Sequence, residues 1–127
     1  MSVVKHDPMG LLEKNPPVYF RRNLKNLAAI AKANGVEIVF STWAYSPYPD
    51  DYTSTPHYRK GYDENNDVIM EVAHRNDIPY FVFAAVMPKD KKYWSDGRHV
   101  NELGAEEMAG LFAGYLNRDG LIKHATH

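Results

Sequence analysis

The chain has 127 residues, a formal net charge of −1, 44% hydrophobic and 24% charged residues, and no cysteine. That is the mix of an ordinary globular domain, long enough to bury roughly two-thirds of the surface its unfolded form exposes. The charge balance excludes the concentrated basic footprint that nucleic acids require, and the missing cysteines exclude disulfides, thiolate nucleophiles and thiolate metal sites.

Residues 1–18 are expected to be irregular, because Pro8, Gly10 and the pair Pro16-Pro17 interrupt any helix. A helix is predicted over about 19–34. Phe20, Leu24, Leu27, Ala28 and Ala31 recur at helical spacing, with Arg21, Arg22, Lys25 and Lys32 opposite them. Asn34-Gly35 reads as its stop, since glycine adopts the left-handed conformation without penalty. "VEIVFST" then predicts a buried strand over 36–42, and a proline-rich, aromatic-rich loop follows. A second helix is predicted over about 57–76, carried by Tyr58, Tyr62, Ile69, Val72 and Ala73. "IPYFVFAAV" is continuously apolar and predicts a second strand over about 78–85, covered on both faces. The last helix is predicted over about 102–117, with a stripe of Ala105, Met108, Ala109, Phe112, Tyr115 and Leu116.

Helix–strand–helix–strand–helix order implies parallel strands joined by right-handed crossovers, an α/β layer fold in one domain. Two parallel strands make too small a sheet to cover three helices. The expectation is therefore that another chain completes the sheet, most simply as a homodimer. No window approaches 18 uninterrupted apolar residues and "MSVVKHDPMG" has no apolar leader core, so a soluble, cytoplasmic protein without a membrane or nucleic-acid partner is expected.

In parallel α/β sheets, functional groups collect at the carboxyl ends of strands. "SDGRHVNELG", residues 95–104, falls in such a position and places Asp96 three residues before His99. A carboxylate so placed can hold one ring nitrogen, fix the tautomer and stabilise the imidazolium that forms when the other nitrogen accepts a proton. Asn101 is a good N-cap for the helix that follows. The plain alternative is a polar turn whose only task is capping. A metal site lacks a second histidine or carboxylate pair at ligand spacing, and His124 and His127 read as a frayed tail; no metal and no cofactor is expected. Trp43, Tyr45, Tyr48, Tyr52, Tyr58 and Tyr62 could stack on a sugar or acyl group, pack the long loop, or anchor a subunit contact.

"YWSDGRHVNELGAEEMA", residues 93–109, resembles the last signature block of the SGNH (GDSL-type) esterase and lipase superfamily. "RRNLKNLAAIAKANGVEIVFST" and "YDENNDVIMEVAHRNDIPYFVFAAVMP" are similar, in the same order, to that family's preceding helix–strand pairs. The resemblance implies the C-terminal half of a flavodoxin-like three-layer fold, a truncated SGNH-like domain. It also implies hydrolysis of an ester or O-acetyl carbohydrate, with His99 as general base and Asp96 orienting it. The family's nucleophilic serine lies in a Gly-Asp-Ser block and further oxyanion donors in a Gly-x-Asn-Asp block, and neither occurs in these 127 residues. A lone chain is therefore expected to be inactive. Ser41, at the end of the first strand, is the positional candidate for a substitute nucleophile, ahead of Ser95, which shares Asp96's turn. Trp43, Tyr45 and Asn101 are the candidate substrate contacts. The competing expectation is a non-catalytic oligomer that binds a ligand or partner.

Overall fold

Three helices form where apolar periodicity places them, and each ends by the same device. The computed structural model describes residues 8–46 and 55–122, with the side chains of Pro8, Met9 and Leu12 left aside. The elements are α1 (Pro8–Lys14), α2 (Val18–Ala33), β1 (Phe40–Ser41), α3 (Pro56–Arg75), β2 (Tyr80–Phe81), α4 (Phe83–Val86), a 3-10 turn (Lys91–Tyr93) and α5 (Glu102–Arg118). Helices α2, α3 and α5 lie within one or two residues of the sequence expectation. Beyond each, one residue turns left-handed: Gly35 at φ 64°, Asp77 at φ 53° and Gly120 at φ 66°. The next amide then reaches back to the helix, Val36 N to Ala31 O at 2.9 Å, Ile78 N to Ala73 O at 2.8 Å and Leu121 N to Leu116 O at 2.9 Å. Those bonds satisfy carbonyls that a helix end would otherwise leave open.

Two expectations need correction. Residues 8–14 are helical, not irregular. Pro8 begins α1 rather than interrupting it, because the first helical position has no use for an amide hydrogen. The strands are far shorter than 36–42 and 78–85. Pairing starts only at Phe40, whose N donates to Pro79 O at 3.0 Å, and continues with Thr42 N to Phe81 O at 3.0 Å. Both partners advance by two residues together, so the two-stranded ladder is parallel. After β2 the apolar run turns into α4, where Met87 N bonds Phe83 O at 2.9 Å. An unbroken apolar run has no period of its own, so it serves a strand or a buried helical turn equally well.

The chain forms two compact units, and it crosses between them within β1 and just before β2: Met1–Phe40 with Thr55–Pro79, and Ser41–Ser54 with Tyr80–His127. In the first unit α3 packs on α2 and on α1. Its core is small and aliphatic: Ala28, Ala31, Val68, Ile69, Val72, Ala73 and Ile78 are buried, with Phe40. Arg21 Nη2 meets Glu71 Oε2 at 2.9 Å, and Arg75 flanks the same carboxylate at 3.4 Å. Tyr19, Leu27 and Ile30 of α2, and Val36 after it, stay exposed. In the second unit the core is aromatic. Phe81 and Phe83 meet edge to face at 4.4 Å, and Tyr115 of α5 lies 4.9 Å from Phe81. Buried Met87 and Trp94 extend this core. Of the stripe expected on α5, Ala105 and Ala109 are exposed, while Met108, Phe112, Tyr115 and Leu116 are half-buried. Among the described residues no helix is long and apolar enough to cross a membrane.

Candidate active site

Everything around His99 belongs to the second unit. The chain leaves the 3-10 turn at Trp94, forms a tight loop over Ser95–His99, and returns at Val100, which bridges antiparallel to Trp94. Ser95 N donates to His99 O at 2.8 Å across the neck of this loop. Asp96 organises its interior. Its Oδ1 accepts the backbone amides of Arg98 at 2.8 Å and His99 at 2.7 Å, the self-bonding that makes aspartate a turn former. Its Oδ2 lies 2.7 Å from His99 Nδ1.

The amide of Arg98 is the largest influence on Asp96, followed by the His99 side chain and the His99 amide. Together they hold the carboxyl at about 2, below its usual 3.8. At neutral pH Asp96 is therefore ionised and can only accept, so Nδ1 of His99 carries the ring proton and donates it. That leaves Nε2 as the basic nitrogen. The His99 side chain is 61% exposed, and among the described residues nothing hydrogen-bonds Nε2. The pair is a base with a fixed tautomer, open to solvent, able to take a proton from a hydroxyl brought to it.

The base of the loop is anchored on α5. Asn101 caps the helix, its Oδ1 accepting from Gly104 N at 2.9 Å. Its Nδ2 donates to Lys92 O at 2.7 Å and its backbone N to Tyr93 O at 3.0 Å. Both ends of the Asn101 amide thus bond backbone, which makes the residue a cap and a strut for the turn before it. Gly104 is buried because Tyr93, at the end of the 3-10 turn, lies on it. A β-carbon there would run into the carbonyl oxygen of Tyr93 and come within 2.8 Å of Val100 Cβ. Trp94, 3% exposed, donates its indole Nε1 to Pro88 O at 3.0 Å.

The other candidates are placed less centrally. Ser41 is exposed at the end of β1, and no hydrogen bond joins it to His99 or Asp96. Ser95 is exposed beside Asp96. Trp43 is 57% exposed. Tyr45 is half-buried, with Lys89 Nζ on its carbonyl at 2.8 Å and over its ring at 4.8 Å. Tyr58 and Tyr62 belong to α3 in the first unit. Tyr48, Tyr52, His124 and His127 lie outside the described residues. Among the described residues no three histidine or acidic side chains cluster as a metal site.

Sequence reasoning passed over Ser46. It is buried, its Oγ donates to Asp96 O at 2.8 Å, and its N donates to Gly97 O at 3.1 Å. No local pattern could have marked it, because the partners lie 50 residues apart.

No family model matches the chain, and no curated protein matches it in sequence. Among solved structures, a GDSL-like lipase from Bacteroides thetaiotaomicron VPI-5482 superposes with a TM-score of 0.63 at 21% identity, over 80% of this chain. The match covers 52% of that protein, so the chain spans about half the length of its structural neighbour. At that identity the likeness establishes a shared fold: the chain is built on part of a GDSL-like α/β architecture.

Proposed function

We propose that the chain is the C-terminal, His–Asp-bearing half of an SGNH-type hydrolase fold. It acts on an ester or O-acetyl carbohydrate once a serine nucleophile and oxyanion donors are supplied by another segment or chain. The observation that carries this reading is the 2.7 Å contact between His99 Nδ1 and Asp96 Oδ2 with the rest of the imidazole open to solvent. In that reaction His99 Nε2 takes the proton of the serine hydroxyl and returns it to the leaving alcohol, while Asp96 stabilises the imidazolium between the two steps. Trp43 and Tyr45 would offer aromatic faces to the sugar or acyl group. Asn101 keeps the loop in place. A soluble, cytoplasmic setting belongs to the same reading. The donors and the nucleophile matter because one oxyanion donor alone contributes roughly 10²–10³-fold.

Hydrolysis of p-nitrophenyl acetate tests this in two stages. The purified chain should react no faster than free imidazole; a faster rate, lost in both His99→Ala and Ser41→Ala, would place the nucleophile at Ser41. The chain co-expressed with an N-terminal SGNH half carrying Gly-Asp-Ser should then gain turnover that depends on His99. Turnover indifferent to His99→Ala overturns the reading.

A second reading, a non-catalytic oligomer, has one observation in its favour. Tyr19, Leu27, Ile30 and Val36 are exposed apolar side chains of the first unit, and the sheet has two strands of two residues each. Exposed apolar side chains and open strand edges both invite pairing with a second copy. Light scattering that finds a stable monomer at micromolar concentration sinks this reading.

A further inference from the structure

We propose that Ser46 is a positioning residue for the His99–Asp96 pair, holding the loop from behind by the two carbonyls at its tip. Its catalytic meaning rests on the hydrolase reading above, but the geometry stands without it. Ser46 is 1% exposed, yet it sits in an extended segment just beyond β1, where a buried hydroxyl needs a partner. It makes two bonds to consecutive peptide groups of the loop, Oγ to Asp96 O at 2.8 Å and N to Gly97 O at 3.1 Å. Those peptides flank the Asp96 side chain at the tip of the Ser95–His99 loop.

The consequence follows from the direction of the bonds. Asp96 reaches the amides of Arg98 and His99 with one oxygen and the imidazole with the other. All three contacts require the Asp96 and Gly97 peptides to keep their present orientation. Ser46 donates to the carbonyl of each. With the hydroxyl removed, the Asp96 carbonyl is left buried against the segment and turns towards water, and the carboxylate turns with it. The segment that follows β1 and the loop that carries the base therefore move together, coupling the strand end to the orientation of His99.

The test reads the carboxylate itself and needs no turnover, so it can fail while the hydrolase reading survives, and the reverse. The Asp96 carboxyl is followed by carbon NMR in the full chain, assigned with Asp96→Asn. The wild-type chain should titrate at about 2. In Ser46→Ala the midpoint should rise towards 3.8 by about one unit as the three hydrogen bonds loosen. Ser46→Thr, which keeps the hydroxyl, should restore it. Thr42→Val is the control: it removes another buried hydroxyl of the same segment, one that accepts from Ala84 N at 3.2 Å, and should leave Asp96 unmoved. An unchanged midpoint in Ser46→Ala, or an equal rise in Thr42→Val, overturns the proposal. Should Ser46→Ala not fold, amide exchange in the wild-type chain decides it. Ser46, Arg98 and His99 amides should be protected together, and free exchange at Ser46 while α5 stays protected overturns the proposal.

Discussion

Around Val72, α3 packs on α2 with a core of valines, isoleucines and alanines, and the helices would look much the same in any well-packed helical pair. Around Trp94 the chain is held differently: a short loop lies over a buried glycine, and asparagine, serine and aspartate side chains bond its backbone groups. The first arrangement tolerates small shifts, because apolar contact has no direction. The second tolerates few, because each bond fixes an angle as well as a distance. A solvent-open base needs that directional support, since no core surrounds His99 to hold it. Rigid backbone bonding is what a polar turn can use in place of burial.

That contrast breaks most sharply at Gly104. Gly104→Ala drives a β-carbon into the Tyr93 carbonyl and should cost about 3 kcal/mol, because backbone does not yield as a flexible side chain would. Chemical denaturation should show the loss, and NMR should show it concentrated in residues 92–104. Val72→Ala, at a position with no exposure, is the counterpart in the first unit. It should cost about 2 kcal/mol by denaturation and leave the Asp96–His99 resonances in place. Asn101→Ala removes the α5 cap together with the strut to Lys92 O and should cost about 1 kcal/mol in the same assay. A smaller effect of opposite sign is expected at Asp77. It is the one non-glycine described residue in the left-handed region, so Asp77→Gly should raise the melting temperature, by up to about 1 kcal/mol in stability.

Acid provides the mildest comparison, because both carboxylates involved are only half-buried and water screens them. Glu71 is held below its usual 4.5, first by the Arg21 hydrogen bond, and Asp96 at about 2 instead of 3.8. A depressed carboxyl stabilises the fold above its ordinary value and loses that contribution as pH falls through the folded value. The Arg21–Glu71 pair should therefore weaken as pH drops below 4.5, whereas the His99 loop should keep Asp96 ionised until close to 2. Carboxyl titration followed residue by residue checks both shifts, and Glu71 titrating at or above 4.5, or Asp96 at its usual 3.8, contradicts them.

Much of the fold was legible in the residues. Helices α2, α3 and α5 follow from periodicity and from Asn34-Gly35 and Asn101, whose signals act within one turn of chain. The strands were overdrawn, because strand length depends on what pairs with the strand, and no local pattern carries that. Residues 36–39 are extended in composition but lie outside the ladder. The helix at Pro8–Lys14 is not legible in composition, because proline breaks a helix in its interior and starts one at its first position.

The same division runs through the site. Asp96 and His99 stand three residues apart, so their contact follows from a turn that aspartate itself builds, and the sequence alone determines it. Asn101 as a cap is equally local. Only the tertiary structure decided that Gly104 must lack a side chain, that the Asn101 cap also reaches back to the Lys92 carbonyl, and that Ser46 rather than Ser41 touches the dyad's turn. Those contacts join residues between nine and fifty positions apart. Such pairs are set by how elements pack after they form, and packing depends on the summed shape of both partners rather than on any short stretch of either.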